Sequence, residues 1–351
     1  MRLLVTGGAG FIGSTFVRRR LAATADDIVV LDVLTYAGNR ANLADIEGDP
    51  AAAARLRFVE GDIADPSVAG ELVRDVDAVV NFAAESHVDR SILDAAAFLR
   101  TGVIGVHVLL EAARSAAAHR TPDGRGGPRF VQVSTDEVYG SVAEGHSAED
   151  DAVEPRSPYA AAKAAGDLLV RAYHATHGLD TVVSRGANTY GPFQHPEKLV
   201  PLFITNALQD QPLPLYGDGL QARDWLFVDD HADAISTVLD RGKSGGVYNI
   251  AAGGERTNRE VTEAILRHTG RPWTLVRQVE DRPAHDRRYA MDGARLRSLG
   301  WQPQVPFDEG IARTVEWYRS HEDWWRSLRG DDWAAYYEDQ YGRRLAHSVE
   351  A

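Results

Sequence analysis

Residues 6–13 read TGGAGFIG, and they follow a short apolar run, Arg2 to Thr6, that has the composition of a strand. The glycines Gly8, Gly10 and Gly13 satisfy the pattern Gly-x-Gly-x-x-Gly, and residues of helical composition come next. In such a strand–turn–helix unit, glycine lets the backbone approach a pyrophosphate, which the amino end of the helix attracts. The stretch therefore predicts a dinucleotide-binding turn; a glycine turn with no ligand is the alternative.

Asp32 ends the next predicted strand, in the position where a carboxylate accepts hydrogen bonds from the ribose hydroxyls of a dinucleotide. A carboxylate there repels the additional phosphate of NADP, and no arginine adjoins it. We therefore expect NAD as the cofactor. The same context makes the dinucleotide interpretation of residues 6–13 much stronger than the glycine pattern alone.

Apolar runs alternate with helix-like stretches through the first half of the chain, which is typical of βαβ units and a parallel sheet covered on both faces. We predict strands at residues 2–6, 28–32, 56–60, 78–82, 129–134 and 181–185. We predict helices at residues 13–23, 103–118 and 159–177. The predicted fold is α/β, a Rossmann-type doubly wound parallel sheet with a smaller mixed C-terminal domain that binds the substrate.

Prolines and glycines become frequent after about residue 190, which indicates a second domain. We place a dinucleotide-binding domain at residues 1–190 and a substrate-binding domain mainly at residues 191–351. A strand at 223–228 and a helix at 229–239 look like parts of the first sheet, so residues near 223–245 are expected to return to it. We assign a strand at 246–250 and a helix at 258–269 to the second domain, and an exposed loop to 121–128.

The composition is that of a soluble globular protein, with 351 residues, 44% hydrophobic and 25% charged. The chain has no cysteine, which excludes disulfides, thiolate metal ligands and a thiol nucleophile. Its formal net charge of -13 disfavours nucleic acid as a partner. We find no apolar run of membrane-spanning length and no signal-peptide cleavage site, and we expect a cytoplasmic protein without a membrane partner.

Tyr159 and Lys163 are four residues apart in a predicted helix that Pro158 begins, so both side chains project from one face. A cation close to a phenol stabilises the phenolate and lowers the pKa of the tyrosine. Beside a dinucleotide, Tyr159 is therefore a candidate base for a substrate hydroxyl. The spacing is common by chance, and only the glycine motif gives it weight.

Thr135, Asp136 and Glu137 follow a predicted strand, and in an open parallel sheet the ligand crevice lies beyond the carboxyl ends of the strands. Transfer of a hydride and one proton needs only the pair Tyr159 and Lys163. An additional acid and an additional base suggest that water is also eliminated. Acidic residues at a strand end that only cap a helix or face solvent are the alternative.

Several further segments carry a family resemblance in the same order. They are LTYAGN (34–39), AAESHVDRS (83–91), STDEVYG (134–140), YGP (190–192) with PEKL (196–199), GDG (217–219) with RDW (223–225), and DRPAH (281–285). On these motifs the chain resembles the extended short-chain dehydrogenase/reductases, and among them the dTDP-glucose 4,6-dehydratase family of deoxysugar synthesis. The resemblance extends from Met1 to at least Trp317.

The resemblance implies a three-step reaction in which NAD is reduced and then regenerated. Tyr159 takes the proton of the C4 hydroxyl while C4 loses a hydride, and Thr135 orients that hydroxyl. Glu137 then removes the proton at C5, and a protonated Asp136 donates to the departing C6 hydroxyl. Return of the hydride to C6 and of a proton to C5 gives the 4-keto-6-deoxy sugar and regenerates NAD, so the cofactor is expected to stay bound.

The resemblance also implies which residues bind each ligand, with no metal among them. For NAD they are Gly7, Gly10, Phe11, Ile12, Gly13, Asp32, Leu34, Thr35, Asp62, Ile63, Phe82, Ala83, Ala84, Ser86, Thr101, Val133, Ser134, Tyr159, Lys163 and Thr189. For the sugar nucleotide they are Ser86, Thr135, Asp136, Glu137, Asn188, Lys198, Leu199, Pro214, Tyr216, Arg223, Asn258, Arg282 and His285.

Thr189 departs from the family pattern, because many members have asparagine there. A hydroxyl lacks the paired donor and acceptor of an amide, which puts a cofactor role for Thr189 in doubt. The alternatives for function are a UDP-glucose 4,6-dehydratase, a nucleotide-sugar 4-epimerase and a non-catalytic NAD-binding sensor. By resemblance, we expect a homodimer through the helices at residues 98–118 and 159–177.

Overall fold

The computed structural model describes residues 1–120, 126–281 and 285–350, so part of the predicted loop at 121–128 lies outside the described residues. The strands are β1 (Arg2–Thr6), β2 (Asp27–Asp32), β3 (Leu56–Glu60), β4 (Ala78–Asn81), β5 (Arg129–Thr135), β6 (Thr181–Gly186), β7 (Asn188–Tyr190), β8 (Leu213–Tyr216), β9 (Ala222–Phe227), β10 (Val247–Ile250), β11 (Glu255–Thr257), β12 (Val276–Val279) and β13 (Val349–Glu350).

The α-helices are α1 (Phe11–Ala23), α2 (Ala44–Glu47), α3 (Pro50–Ala53), α4 (Pro66–Val73), α5 (Val88–Leu93), α6 (Ala96–Leu99), α7 (Val106–Arg120), α8 (Pro158–His177), α9 (Leu199–Leu208), α10 (Val228–Arg241), α11 (Asn258–Thr269), α12 (Ala294–Arg297), α13 (Phe307–Ser320), α14 (Glu322–Ser327), α15 (Asp331–Tyr337) and α16 (Arg343–Ala346). Short 3₁₀ turns lie at Arg40–Leu43, Asp136–Tyr139 and Trp273–Leu275, and π-helical turns lie at Arg100–Gly105 and Glu338–Gly342.

Seven parallel strands form a large sheet in the order β10-β6-β5-β4-β1-β2-β3. From β1 the sheet extends one way through β2 and β3, and the other way through β4, β5, β6 and β10. Helices cover both faces, which is why most of these strands are apolar and buried. The predicted doubly wound parallel sheet is confirmed, and the six strands predicted for it agree with the structure to within one residue at each end.

Each face of the large sheet has its own hydrophobic core. On one face α1 and α10 pack together, with Phe16 and Ile235 fully buried. On the other face α4, α7 and α8 pack over the sheet, with Leu109 and Val170 fully buried. The sheet is therefore covered on both faces by apolar cores, and ligands can reach it at the ends of its strands.

Two strand assignments made from the sequence were wrong. The strand predicted at 223–228 is β9, which pairs with β7 and β11 in a separate three-stranded sheet. The large sheet instead takes β10, which we had assigned to the second domain, as its edge strand next to β6. An apolar run predicts a buried strand but not its partner, and here the partner is chosen by tertiary packing. The helix α10 does pack on the large sheet, as expected.

The later part of the chain forms a smaller mixed region with two three-stranded sheets, β11-β9-β7 and β13-β12-β8. Its core is aromatic, and Tyr190, Tyr318 and Trp325 are almost fully buried among the residues of α9, α11 and α13. A domain boundary at residue 190 stays a prediction.

The expectation that the chain has no apolar run of membrane-spanning length is wrong for the helical stretch at residues 96–120. By length and composition it is apolar enough to cross a membrane, although we had found no run of that length. Core helices of soluble proteins meet the same criterion, and 39% of its most apolar part is buried inside the protein. The stretch packs against α4 and α8.

Candidate active site

A first pocket opens at the carboxyl ends of the strands in the middle of the large sheet. Most residues predicted to bind NAD line it: Gly7, Gly10, Phe11, Ile12, Gly13, Asp32, Thr35, Asp62, Ile63, Phe82, Ala83, Ala84, Ser86, Thr101, Val133, Ser134, Tyr159 and Lys163. These residues come from distant parts of the sequence, and the parallel sheet brings them to one edge.

The glycine turn between β1 and α1 has no room for side chains. A Cβ on Gly13 would lie 2.9 Å from the Cα atom of Gly8, and one on Gly7, whose φ is +67°, would lie 2.6 Å from the backbone nitrogen of Ala83. The amino end of α1, which begins at Phe11, therefore borders the pocket directly. Free backbone N–H groups and the helix dipole make this end of the pocket suited to an anion.

The side chain of Asp32, at the end of β2, is held in place by hydrogen bonds from two backbone N–H groups. Its carboxylate accepts hydrogen bonds from the backbone N–H groups of Ala9 and Leu34, both at 2.9 Å. Burial raises the pKa of this carboxyl, and the two backbone donors lower it. A carboxylate has about four acceptor positions, so the side chain can still accept hydrogen bonds from two hydroxyls in the pocket.

Leu34 and Thr189 are not among the residues that line the first pocket. Leu34 has a φ of +54°, and it contributes the N–H group that holds Asp32. The Thr189 hydroxyl lies 2.7 Å from Nδ1 of the buried His231 and 3.1 Å from the Ala187 carbonyl oxygen. A direct contact of Leu34 or Thr189 with NAD therefore stays a prediction.

Tyr159 and Lys163 lie in the first two turns of α8. Pro158 occupies the first turn, and the Ser157 hydroxyl accepts a hydrogen bond from the backbone N–H of Ala160, which fixes where the helix begins. Lys163 Nζ donates to the Val133 carbonyl oxygen at 2.5 Å, and burial lowers the pKa of this lysine to about 8.

The expected lowering of the Tyr159 pKa is not found. Burial raises the pKa of this phenol, and the negative charge of Glu137 raises it further. The prediction considered only the spacing to Lys163, whereas the pKa depends on the whole enclosure of the side chain. In this state Tyr159 holds its proton.

Asp167 and Arg185 form a buried ion pair that the sequence analysis missed. Arg185 Nε lies 3.0 Å from Asp167 Oδ2, and both side chains are 1% exposed. The negative charge of Asp167, one helical turn away, raises the pKa of Lys163 and so opposes the loss of its proton. The Arg185 guanidinium lies 4.7 Å from the ring centre of Tyr139. The pair therefore connects α8 with the 3₁₀ turn that follows β5. Its only sequence signal was an acidic residue four positions after Lys163.

Thr135, Asp136 and Glu137 lie where β5 ends and the 3₁₀ turn begins. The Thr135 hydroxyl accepts from the backbone N–H of Glu137 at 3.3 Å and donates to Asp136 Oδ1 at 3.1 Å. Asp136 is buried, and burial, followed by the charge of Glu137, raises the pKa of Asp136 to about 7; Arg223 opposes this shift. Two adjacent carboxyls are thus placed in different environments.

A second pocket adjoins the first. Nine of the residues predicted to bind the substrate line it: Glu137, Asn188, Lys198, Leu199, Pro214, Tyr216, Arg223, Asn258 and His285. Thr135 and Asp136 line neither pocket, and Ser86 lines the first pocket only. Arg282 lies outside the described residues.

Lys198 joins the two pockets, since it lines both and its Nζ donates to the Ser86 carbonyl oxygen at 2.6 Å. Arg223 is buried, donates to the Asp286 carbonyl oxygen at 2.7 Å, and lies 4.2 Å from the ring centre of Tyr289. His285 Nδ1 is 2.6 Å from Asp281 Oδ1. The second pocket therefore holds basic groups in a protein that is acidic as a whole.

Several wall residues were missed, most of them in motifs that had been quoted. They are Gly38, Glu85, Gln194, His195 and Glu197 in the first pocket, and His87, Asp89, Glu197 and Tyr341 in the second. All but Tyr341, Gln194 and His195 belong to segments that carried the family resemblance, so the signal was present. Among the described residues, no group of three His, Cys, Asp or Glu side chains could hold a metal ion.

Residues 4–314 match the family model described as GDP-mannose 4,6 dehydratase. The chain belongs to this family. Within it, the dTDP-glucose 4,6-dehydratase of Streptomyces niveus is 52% identical over 95% of this chain and 97% of that protein. The resemblance to nucleotide-sugar dehydratases that the motifs indicated is therefore confirmed.

Solved structures are similar over nearly the whole dehydratase-family chain. The dTDP-glucose 4,6-dehydratase DesIV of Streptomyces venezuelae, solved with NAD and dTDP bound, is 54% identical with a TM-score of 0.88, covering 93% of this chain and 100% of that one. The UDP-glucose 4-epimerase of Thermus thermophilus, in complex with NAD, is 33% identical with a TM-score of 0.81, covering 92% and 100%.

The Asp136 carboxyl should lose its proton near pH 7, because burial and the charge of Glu137 raise its pKa to about 7. Infrared difference spectra between the wild type and Asp136→Asn should show a protonated carboxyl band below about pH 6 that is gone above about pH 8. Glu137→Gln removes the neighbouring charge and should move the midpoint to lower pH. A midpoint of about 4, the ordinary value for aspartate, would contradict the assignment.

Proposed function

We propose that this protein is an NAD-dependent hydro-lyase that converts dTDP-glucose to dTDP-4-keto-6-deoxyglucose and water. The observation that carries the proposal is the placement of buried Asp136 and pocket-lining Glu137 beside the pocket that Tyr159 and Lys163 line. One pair of groups suits oxidation of an alcohol, and the other suits elimination of water. The names of the similar dehydratases and the dTDP bound to DesIV support the substrate.

The residues of the first pocket fit NAD. The amino end of α1 borders the pocket, where it can bind a pyrophosphate, and Asp32 is fixed where it can accept from ribose hydroxyls and repel a 2′-phosphate. When bound, NAD supplies the acceptor for the hydride from C4 and the donor of that hydride to C6. Because the cycle consumes no cofactor, we propose that NAD stays tightly bound throughout turnover.

Tyr159, assisted by Lys163, accepts the proton of the C4 hydroxyl. Burial and Glu137 keep Tyr159 protonated in the free protein, so the phenol has to lose its proton before it can act as a base. The Lys163 ammonium, one helical turn away and anchored on the Val133 carbonyl, is the group that favours the phenolate. We propose that the Thr135 hydroxyl orients the sugar hydroxyl, as the resemblance implies.

Asp136 and Glu137 have different roles in the elimination of water, with Glu137 as the base and Asp136 as the acid. Once C4 is a ketone, the neighbouring C5 proton is acidic enough for a carboxylate base, and Glu137 faces the second pocket to accept it. Asp136 has its pKa raised to about 7, so below that pH it holds the proton that the departing C6 hydroxyl needs. The two carboxyls therefore act as acid and base at the same pH.

The alternative functions differ in which of the candidate catalytic side chains they leave without a role. A nucleotide-sugar 4-epimerase needs Tyr159 and Lys163 but gives Asp136 and Glu137 no task, and an NAD-binding sensor needs none of the four. A UDP-glucose 4,6-dehydratase would use the same catalytic groups. We propose dTDP as the carrier because the similar dehydratases are named for it.

We also propose that two copies associate through the face formed by α5, α6, the π-helical turn at 100–105 and α8. Of the eight large hydrophobic side chains exposed in the described part of the chain, five lie there: Ile92, Leu93, Leu99, Ile104 and Leu168. The helices and the turn that carry these side chains pack against one another, and exposed apolar side chains grouped in this way are typical of an interface. We further propose a cytoplasmic enzyme without membrane partners, and the net charge of -13 disfavours nucleic acid as a partner.

Asp136→Asn should slow elimination far more than oxidation at C4, because the amide cannot protonate the leaving hydroxyl. After mixing with dTDP-glucose, absorbance of reduced nicotinamide should accumulate on the variant, and product formation should fall roughly 10²–10⁴-fold. Tyr159→Phe is the matched control, since it blocks the first step and should show no reduced cofactor. Unchanged turnover of Asp136→Asn would refute its role as the acid.

Light scattering should give twice the mass of the chain for the wild type. Leu168→Glu places a charge in the proposed interface and should shift the protein to a single-chain mass. Leu220→Glu is the matched control, because Leu220 is similarly exposed but lies outside that face. A single-chain mass for the wild type, or equal masses for both variants, would contradict the proposed interface.

A further inference from the structure

The C-terminal cap, which we define as residues 336–344, lies against the second pocket. It comprises the end of α15, the π-helical turn Glu338–Gly342 and the start of α16. The family model ends at residue 314, so nothing in the family motifs describes this segment. Its contacts with the pocket walls are nevertheless specific.

Gln340 ties together two walls of the second pocket. Its Nε2 atom donates to Asp89 Oδ2 at 2.9 Å and to the Tyr216 hydroxyl at 2.7 Å, and both partners line the pocket. Arg344 also approaches the Tyr216 hydroxyl, at 3.4 Å, and its guanidinium lies 5.3 Å from the Tyr216 ring centre. The cap thus holds Tyr216, a residue predicted to contact the nucleotide, from two sides.

Tyr341 enters the pocket wall itself. It is 5% exposed, and its ring lies 6.0 Å from the Tyr216 ring and 5.0 Å from the Tyr337 ring. At the other end of the cap, the Tyr336 hydroxyl is 3.5 Å from His87 Nε2, and His87 is also a wall residue. An aromatic wall with a few fixed polar groups is typical of a site that encloses a nucleoside.

We propose that the C-terminal cap is part of the nucleotide subsite, and that Gln340 and Tyr341 determine affinity for the nucleoside diphosphate without taking part in the chemistry. This rests on the proposed function, which assigns the second pocket to the sugar nucleotide. The cap contacts described above reach His87, Asp89 and Tyr216, whereas the proton-transferring side chains lie on α8 and on the turn after β5. Loss of a cap contact therefore weakens binding and leaves the bound substrate correctly aligned.

The test is direct binding of dTDP to the NAD-loaded enzyme by calorimetry, with steady-state kinetics on the same preparations. Gln340→Ala should weaken dTDP binding and raise KM about tenfold, with kcat within about twofold of wild type, because two hydrogen bonds are lost. Asp339→Ala changes an exposed residue of the same turn and is the matched control. NAD content should be the same in all three proteins.

Hydrogen exchange of the wild type tests the same inference without a variant. Adding dTDP to the NAD-loaded enzyme should slow exchange of the amides at 336–344. Wild-type affinity in Gln340→Ala together with unchanged exchange in the cap would overturn the inference. If the wild type binds no dTDP at all, the proposed function fails instead, so the two failures are distinguishable.

Discussion

The seven parallel strands of the large sheet place all their carboxyl ends at one edge, and the candidate site depends on this constraint. The glycine turn after β1, Asp32 at the end of β2 and Ser134 near the end of β5 are far apart in the sequence, but all three line the first pocket. Helices on both faces leave that edge as the accessible part of the sheet. The smaller mixed region then closes the crevice from the other side and supplies Lys198, Arg223 and Tyr216.

Within the crevice, burial decides which groups hold protons. Asp136 and Glu137 are adjacent in sequence, yet Asp136 is enclosed while Glu137 reaches the second pocket. The charge of one raises the pKa of the other, which is how two carboxyls come to act as acid and base at one pH. The same enclosure raises the pKa of Tyr159 and lowers that of Lys163. The chemistry proposed for the site follows from these directions.

Structural features that depend on short contiguous motifs were predicted correctly from the sequence. Six strands of the large sheet and the position of the glycine turn were predicted correctly because each depends on residues close in the chain. Most residues predicted to bind NAD line one pocket, and their contacts with NAD stay a prediction. The pairing of β9, the edge position of β10 and the pKa of Tyr159 depend on tertiary contacts that no local pattern carries. Tyr341 was missed for the same reason, since it reaches the second pocket from a segment without any recognised motif.

Oxidation at C4, elimination and reduction at C6 should occur in one site with one bound cofactor. Turnover of dTDP-glucose that carries deuterium at C4 tests this sequence of steps. The product should be a 4-keto-6-deoxy sugar with that deuterium at C6. Deuterium retained at C4 of an epimerised sugar, or lost to solvent, would contradict it.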